Sequence, residues 1–324
     1  SELASMLLRF NEEVKVVMEA TGIYHLPVLT YLQEKGLFVS VINPYLMKVY
    51  RSGDLRKAKT DKIDSRIIAN YGIDHWFTMP EFQASEDIYG ELKLLGQQYR
   101  HYMKLHINSL HELTHLLDYT MPGTKGMFAS WNEGNRKDKL SDFVESFWHY
   151  DKIICLDEIE FINQYINWAK EKKYHQSQAK AKAIYKLAHE SIPTLSSETP
   201  SVKMLVTEAV RVLKEVDATL GIILSRMQEL AKGLPEYAVV REMGGVGEVL
   251  APKLIAEVGD IRRFHSGKAL IAFAGIDTPP YESGQFAGSN RKITKRGSAA
   301  LRKVGYETMR CIKTHPRPDD PVYQ

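Results

Sequence analysis

A strand–helix–strand pattern near the beginning of the chain most constrains its fold. The stretch "EVKVVMEATG" reads as a short apolar strand, Val14 to Met18, that runs into a polar turn at Glu19. "YHLPVLTYLQEKG" then shows the apolar spacing of a helix with a glycine stop, and "LFVSVIN" is a second apolar strand. Two strands joined through a helix favour a parallel sheet, because a parallel connection needs a long crossover. The sequence therefore predicts an α/β domain.

The remainder of the chain is predicted to be mainly helical and to contain further domains. Residues 86–118 form a long helical stretch, and "SIPTLSSETPS" at 191–201 reads as a linker. A chain of 324 residues has room for two or three domains. We therefore expect an α/β domain at 1–85, a helical and coiled-coil region at 86–235, and a C-terminal domain at 236–324.

The coiled-coil prediction depends on apolar residues that recur at intervals of three and four beyond residue 202. Such a stripe can pack on helices of its own domain, or it can join two chains, and the pattern leaves both open. The predicted stripe comprises Leu205, Ala209, Leu213, Val216, Leu220, Ile223, Met227 and Leu230.

Composition excludes several classes of protein. Hydrophobic residues make up 44% and charged residues 26% of the chain, which is the range of globular domains. Two cysteines exclude a disulfide scaffold and favour a reducing compartment. No apolar stretch of the sequence approaches the roughly 20 residues of a membrane span. We therefore expect a cytoplasmic protein with no membrane partner.

Positive charge is concentrated in two runs, although the net charge is only +3. These are "RSGDLRKAKTDK" at 51–62 and "RKITKRGSAALRK" at 291–303. One such run is commonly a solvated face, but two runs beside possible catalytic residues favour a polyanionic partner such as nucleic acid. In the first run, Lys59 is the residue that we expect to contact nucleic acid.

Three acidic residues occupy positions where a metal ion could bind. Glu19 follows a predicted strand, at the edge where α/β sheets hold their ligands. Asp61 and Asp64 are three positions apart at the start of a predicted helix that Thr60 caps and Gly72 ends, so they share a face. Carboxylate oxygens suit Mg²⁺ or Mn²⁺, and a pair of such ions can polarise a phosphodiester. The alternative is that Asp61 and Asp64 only oppose the helix macrodipole.

A stretch rich in serine and glycine, "TPPYESGQFAGSNRKITKRGSAALRK", lies further along the chain. It contains Ser283, Ser289 and Ser298, and a basic run follows that has no acid in it. Composition favours a flexible basic loop that binds phosphates, and a serine that attacks a phosphodiester is the alternative. The basic residues expected to contact nucleic acid are Arg291, Lys292, Lys295, Arg296, Arg302 and Lys303.

A glycine-rich turn precedes a predicted helix in "MGGVGEVLAPKLIAEVGD". The pattern resembles the hairpin of helix-hairpin-helix modules, in which backbone N–H groups at a helix N-terminus meet a DNA phosphate. It therefore adds a second indication of nucleic-acid binding in the C-terminal domain.

In combination, these motifs resemble those of a known family. "EATG", "KTDKID" and "YESG" occur in this order, with the "GGVG" turn ahead of the third. The pattern is similar to the DEDD insertion-sequence transposases, a family that includes Piv-type DNA invertases and bridge-RNA-guided recombinases. The resemblance covers about residues 15–75 and 236–312.

The resemblance implies an RNase-H-like N-terminal domain, similar to Holliday-junction resolvases, in which four acids bind Mg²⁺ or Mn²⁺. Glu19 corresponds by motif to the second acid, Asp61 to the third and Asp64 to the fourth. The first acid is expected on a preceding strand, and this sequence does not contain that strand. The metal site formed by this chain is therefore expected to be incomplete.

For the C-terminal domain, the resemblance implies that Ser283 is a nucleophile that links covalently to DNA during strand exchange. It further implies donor and target DNA as partners, a structured guide RNA, a homodimer or homotetramer, and a place at the bacterial nucleoid. Two other hypotheses remain open. One is a metal-dependent junction-resolving nuclease with water as the nucleophile, and the other is a non-catalytic nucleic-acid scaffold.

Overall fold

The computed structural model divides the chain into two compact units, residues 1–85 and residues 86–324. It describes residues 2–20, 22–51, 60–82, 87–128, 138–278, 282–283, 286–287 and 292–315. Helices predominate in both units. Of the predicted site residues, Lys59 and Arg291 lie outside the described residues, as does Ser289.

The first unit is built on a small parallel sheet. Its elements are α1 (Glu2–Leu7), β1 (Lys15–Glu19), α2 (Leu26–Glu34), β2 (Phe38–Ile42), α3 (Pro44–Arg51) and α4 (Asp61–Asp74). Strand β1 pairs with β2 in parallel, with Lys15 opposite Phe38 and Glu19 opposite Ile42. The predicted strand–helix–strand unit is therefore present in the described residues. Glu19 is the last residue of β1, whereas the sequence placed it in the turn that follows.

The two faces of this sheet carry separate apolar clusters. Val39 is fully buried, and it packs on one face with Leu29 and Leu32 of α2. On the other face, Ile42 clusters with Met47 of α3, and the neighbouring Val17 packs against the same group. Because side chains alternate along a strand, Glu19 shares the face of Val17. That face is the one covered by α3 and α4.

The second unit is helical apart from a short hairpin in its described part. It contains two long helices, α5 (Asp87–Thr120) and α10 (Pro200–Lys232). Four shorter helices lie between them in the sequence, namely α6 (Lys139–Ser146), α7 (Asp151–Ile154), α8 (Glu158–Glu171) and α9 (Gln178–Glu190). After α10 come α11 (Pro235–Glu242), α12 (Leu250–Val258), α13 (Gly267–Ala274), the strands β3 (Glu282–Ser283) and β4 (Phe286–Ala287), and α14 (Ala299–Thr314). Single 3₁₀ turns cover Thr124–Met127 and Ile261–Arg263.

Helices α5 and α10 pack against each other in antiparallel orientation. Arg226 of α10 bonds to Glu91 near the start of α5, while Asp217 meets His106 further along it. The buried side of α10 differs in part from the predicted stripe, since Leu205 is 46% exposed and Val206 is buried in its place. The stripe that packs inside the unit comprises Val202, Val206, Val210, Leu213, Leu220, Leu224, Met227 and Ala231. A coiled coil between chains stays a prediction.

Two apolar clusters lie at the two ends of this helical pair. One gathers the end of α5, the start of α10 and the helices α6 to α9, with Tyr150, Phe143 and Tyr165 fully buried. The other joins the start of α5 and the end of α10 to Ile255 and Ala256 of α12. The C-terminal helices therefore pack onto one end of the α5–α10 pair.

Candidate functional site

The N-terminal end of α4 is built as its sequence predicts. Thr60 has an extended backbone, and its Oγ1 accepts a hydrogen bond from the Ile63 nitrogen at 3.3 Å, which confirms it as the N-cap. Asp61 is the first residue of the helix and is exposed, and Asp64 lies one turn on and is half-buried. The two carboxylates occupy the same side of the first turn, where the positive end of the helix favours negative charge.

Helix α4 runs antiparallel to β1 on the face that carries Glu19. The Lys15 Nζ donates to the Trp76 carbonyl at 2.9 Å, just beyond the end of α4. A Cβ on Gly72 would lie 2.8 Å from Val17 Cγ2, so the helix touches the strand there. From these contacts α4 leads back toward its first turn while β1 leads forward to Glu19. The three predicted acids therefore lie toward the same end of the sheet.

Gly72 is a correction to the sequence reading of α4. The sequence predicts it as a helix stop, but it lies inside a helix that continues to Asp74. Its role is close packing, because any side chain there would collide with Val17. The residue that makes glycine necessary here, Val17, lies 55 positions earlier in the chain. The sequence around Gly72 therefore could not distinguish a packing glycine from a helix stop.

A positive charge already lies beside one of the predicted metal ligands. The Arg51 Nη2 is 2.8 Å from the Asp64 Oδ1, and the side chains are 27% and 25% exposed. Arg51 is the last residue of α3, and no helix was predicted for Pro44–Arg51. The sequence placed Arg51 only at the start of the basic run at 51–62. Arg51 is therefore a residue of this site that sequence reasoning missed.

The three predicted ligands have the right chemistry for a hard cation, but in this structure they are not arranged to share one. All three supply carboxylate oxygens, which Mg²⁺ and Mn²⁺ prefer. Asp64 lies where the fold itself places a cation, the guanidinium of Arg51. However, no group of three or more acid, histidine or cysteine side chains is close enough to hold a metal ion within the described part of the chain. The acids would have to come closer together to share one ion.

The hairpin that carries Ser283 belongs to the second unit. In its described residues, Glu282 pairs with Ala287 and Ser283 pairs with Phe286 in antiparallel register. Ser283 is thus the last residue of β3, and two residues separate it from β4. The backbone of Ser283 is therefore held in register opposite Phe286.

The chain on both sides of this hairpin is held together by hydrogen bonds. The Thr294 nitrogen donates to the Asp277 carbonyl at 3.0 Å, and its Oγ1 donates to the Asp277 Oδ1 at 2.5 Å. The Lys295 nitrogen donates to the Gly275 carbonyl at 2.9 Å. Where it is described, the predicted flexible basic loop is therefore fixed to the end of α13. We call these bonds between 275–277 and 294–295 the clamp.

Two glycines allow the clamp to close. Gly275 has a positive φ of 68°, and a Cβ there would lie 3.0 Å from the Arg296 nitrogen. A Cβ on Gly297 would lie 2.6 Å from the Gly275 nitrogen and nearer still to the Phe273 carbonyl oxygen. The Ser298 nitrogen donates to that same carbonyl at 2.8 Å, and Ser298 then caps α14. Backbone therefore packs directly on backbone at this point.

The predicted nucleic-acid contacts have different surroundings. Lys292, Lys295 and Arg296 are exposed on the segment that follows the hairpin. The Arg302 Nη1 instead donates to the carbonyls of Ala274 and Gly297, each at 2.9 Å, so this side chain holds the clamp region to α14. Lys303 is exposed, with its Nζ 3.9 Å from the Glu307 Oε1. Arg302 therefore has a structural role in this region that the sequence analysis did not predict.

The glycine-rich turn before α12 is packed against α14. Gly245 has a φ of 76°, and a Cβ there would lie 2.6 Å from the backbone of Cys311. Val246 is buried beside the turn, and α12 follows at Leu250. One side of the predicted hairpin-helix element is therefore part of the core, and phosphate binding there stays a prediction.

Two family profiles match this chain, and both describe transposases. Residues 1–122 match the DEDD_Tnp_IS110 transposase profile, and residues 237–324 match the profile of the transposase IS116/IS110/IS902 family. The first covers the unit with the predicted acids, and the second covers the segment with the hairpin and its clamp. Both matches place this protein among the transposases of insertion sequences.

A curated relative agrees with the profiles. The transposase for insertion sequence element IS1111A from Coxiella burnetii (strain RSA 493 / Nine Mile phase I) is 30% identical over 136 residues. That stretch is 39% of this chain and 36% of the relative. The chain belongs to the IS110-type DEDD transposase family. The resemblance drawn from the three motifs is therefore confirmed, and the DEDD profile implies an RNase-H-like fold for the first unit.

No helix in the described residues is both long and apolar enough to cross a membrane.

Proposed function

We propose that this chain is a DNA transposase or recombinase of an insertion sequence, with Ser283 as the nucleophile that exchanges DNA strands. The observation that carries the proposal is the clamped hairpin. Ser283 ends β3, the segments 275–277 and 294–295 that flank the hairpin are bonded to each other, and Lys292 and Lys295 after it are exposed. Membership in the IS110-type family supports the activity and DNA as the substrate.

The proposed step is a transesterification at a DNA phosphate. The Ser283 oxygen forms a bond to phosphorus and loses its proton, and the bond from phosphorus to a deoxyribose oxygen breaks. The released deoxyribose oxygen takes up a proton and leaves as a hydroxyl group. A hydroxyl group of the other DNA then attacks the phosphoserine, which restores Ser283. Energy is conserved in the phosphoester throughout, so strand exchange needs no nucleotide cofactor.

The acids of the first unit serve the same chemistry in this proposal. Glu19, Asp61 and Asp64 would hold Mg²⁺ or Mn²⁺ together with the first acid of the family pattern. When bound, such an ion stabilises the negative charge that develops on the phosphate and on the leaving oxygen. Arg291, Lys292, Lys295 and Arg296 would bind flanking phosphates, which holds the scissile group near the serine.

A covalent adduct tests the nucleophile. Denaturing gels of the protein incubated with labelled donor DNA and Mg²⁺ should show a protein–DNA band for the wild type. Ser283→Ala should lose the adduct and strand exchange but keep DNA binding. Ser298→Ala is the matched control, since the Ser298 side chain caps α14 through the Leu301 nitrogen and the variant should keep the adduct. If the wild type and both variants cleave the DNA but none forms an adduct, the result would favour a nuclease in which water, not Ser283, is the nucleophile.

The partners of the reaction are proposed on the family resemblance. These are donor and target DNA, a structured guide RNA and a second copy or three further copies of the chain. Sequencing of the RNA that copurifies with the protein tests the guide, because a single defined RNA encoded beside the gene is expected. Random RNA would remove guidance from the proposal. Mass measurement of the complex in solution distinguishes a dimer from a tetramer.

A further inference from the structure

We infer that a cavity among the C-terminal helices binds an unpaired nucleobase that carries an amino group, and that Glu236 accepts a hydrogen bond from this group. The inference rests on the proposed function, because it takes nucleic acid as the substrate. It adds a contact that reads a base to the phosphate contacts already proposed for the basic residues.

The cavity lies between α11, α12, α13 and α14 and has a volume of about 850 Å³. Apolar side chains form most of its wall, and two of them are largely exposed, Val239 at 66% and Tyr306 at 58%. A concave, mainly apolar site of this size with few polar groups is typical of ligand-binding pockets. The wall includes Val239, Leu254, Ile271, Ile276, Ile293 and Tyr306.

Glu236 gives this cavity a specific polar group. Among the described residues that line it, only Glu236 and Arg302 are charged, and Arg302 is bonded to backbone carbonyls. The Tyr89 hydroxyl donates to the Glu236 Oε1 at 2.9 Å. The Glu236 Oε2 is shielded from solvent and has no hydrogen-bond partner in the described residues. A shielded carboxylate oxygen without a donor is unfavourable, so this atom is suited to accept from an N–H group of a ligand.

The fold leaves this one oxygen to a ligand. Glu236 is held in the first turn of α11 after Pro235, and the Tyr89 that binds it is 4% exposed in the cluster of α5 and α10. Burial and the bond to Glu236 raise the pKa of Tyr89 to about 12, so its hydroxyl stays protonated and donates at neutral pH. Oε1 is therefore occupied by Tyr89. The last torsion of a glutamate is broad, so a small rotation turns Oε2 toward the cavity.

Charge beside the cavity favours a nucleotide over a basic peptide as the ligand. Ile293 lies in the wall, and Lys292 and Lys295 next to it are exposed. These lysines repel a cationic side chain, whereas they attract the phosphate of a nucleotide. A base has apolar faces and N–H donors at its edge. It can pack on the aliphatic wall and the Tyr306 ring while its amino group meets Glu236.

Binding of homopolymeric oligonucleotides to the full chain tests the inference. Cytosine has an amino donor where thymine has a carbonyl acceptor, so the two bases differ at the group that Glu236 would contact. Fluorescence anisotropy at neutral pH should show that oligo(dC) binds about three- to tenfold more tightly than oligo(dT), the effect of one hydrogen bond. Oligo(rC) and oligo(rU) of the same length show whether RNA or DNA supplies the base.

Glu236→Gln keeps the shape of the side chain but can place an amide N–H group where the free oxygen was. The preference for oligo(dC) should therefore disappear. Glu242→Gln is the matched control, since Glu242 is an exposed acid at the end of the same helix and should leave the preference unchanged. The same preference in Glu236→Gln as in the wild type would overturn the inference, as would equal affinities of the wild type for the two oligonucleotides. Both results leave the proposed function standing.

Tyr306→Ala tests the cavity wall without depending on Glu236. Its side chain is exposed, so the variant should fold, and loss of stacking should weaken binding of both oligonucleotides at least about fivefold. If binding stays unchanged and the mass of the complex in solution falls instead, a second copy of the chain occupies the cavity and the inference is overturned. Absence of binding to every oligonucleotide and to donor DNA would overturn the inference and the proposed function together.

Discussion

The backbone of Gly297 lies against that of Gly275, so that a Cβ on Gly297 would be 2.6 Å from the Gly275 nitrogen. No side chain fits between these two residues. Gly297→Ala should therefore push the clamp apart and destabilise the second unit by about 1–3 kcal/mol, the usual effect of overpacking. It should also reduce strand exchange, because Ser283 lies in the chain between the two segments that the clamp joins. Urea unfolding and a strand-exchange assay measure the two effects.

The control for this prediction is Gly305→Ala in α14. A Cβ on Gly305 would meet nothing within 4 Å. Alanine in place of a helical glycine should stabilise the protein by roughly 0.5–1 kcal/mol. If Gly297→Ala behaves like Gly305→Ala, the close backbone packing is not what holds the hairpin.

Arg302 and Lys292 should respond differently to mutation, although the sequence places both in one basic run. Lys292→Gln should weaken binding of all DNA sequences about equally and reduce the dependence of log Kd on log salt by about one unit. Arg302→Gln should instead lower stability, since its Nη1 donates to the Ala274 and Gly297 carbonyls. Binding at several salt concentrations and urea unfolding separate the two. A changed salt slope with unchanged stability in Arg302→Gln would contradict the structural role.

The contact between His106 and Asp217 should be important for the α5–α10 pair. The His106 ring is 3% exposed, and its Nδ1 lies 2.5 Å from the Asp217 Oδ1. Asp217→Ala removes the carboxylate and leaves a buried imidazole nitrogen with less compensation, so stability should fall by about 1–3 kcal/mol. Asp118→Ala, which removes an exposed carboxylate from α5, is the control and should change unfolding little. Equal effects of the two variants in urea unfolding would contradict the prediction.

Acid should weaken the cluster around Asp142. Burial alone would raise the pKa of Asp142, but hydrogen bonds from Lys214 and Tyr174 outweigh it and hold the pKa below its ordinary value. A lowered folded-state pKa means that the stabilisation is present above about pH 4, the ordinary value, and is lost as pH falls through the lowered one. The stability advantage of the wild type over Asp142→Asn should therefore shrink below about pH 4.

Urea midpoints of both proteins between neutral and acidic pH measure this change. In a Tyr174→Phe background one donor to the carboxylate is absent, because the Tyr174 hydroxyl donates to the Asp142 Oδ2 at 2.8 Å. The difference between Asp and Asn at position 142 should then be smaller at neutral pH. A difference that stays constant through the acid range would exclude this carboxylate as the titrating group.

Local patterns in the sequence were sufficient where the determining contacts are themselves local. The parallel β1–β2 pair, the Thr60 cap and the family motifs were all predicted from short stretches and are confirmed. Gly72 was misread because its partner Val17 is distant along the chain. Leu205 was misplaced because a helix with apolar residues on several sides has more than one possible stripe, and packing with α5 selects one of them.

The candidate site shows the same division. Glu19, Asp61 and Asp64 were selected by motif, and the fold directs them toward one end of the first unit. Arg51 could not be predicted as part of the site, because the sequence of a basic run does not show which acidic residue an arginine will contact in the fold. The glycines of the clamp were visible in the sequence, but their mutual contact arises only when residues 275 and 297 are brought together. The roles of the acids and of Ser283 stay predictions.

The antiparallel α5–α10 pair also works as a spacer whose length can be changed in steps. The helices have 34 and 33 residues, so each spans about 50 Å at about 1.5 Å per residue. The aromatic cluster at one end is therefore separated from the C-terminal helices at the other by a rigid, measurable distance. Deleting seven residues from both helices would shorten it by about 10 Å and keep the packing stripe in phase. Such a series could reveal whether strand exchange depends on that separation, as it would if both ends held one nucleic acid.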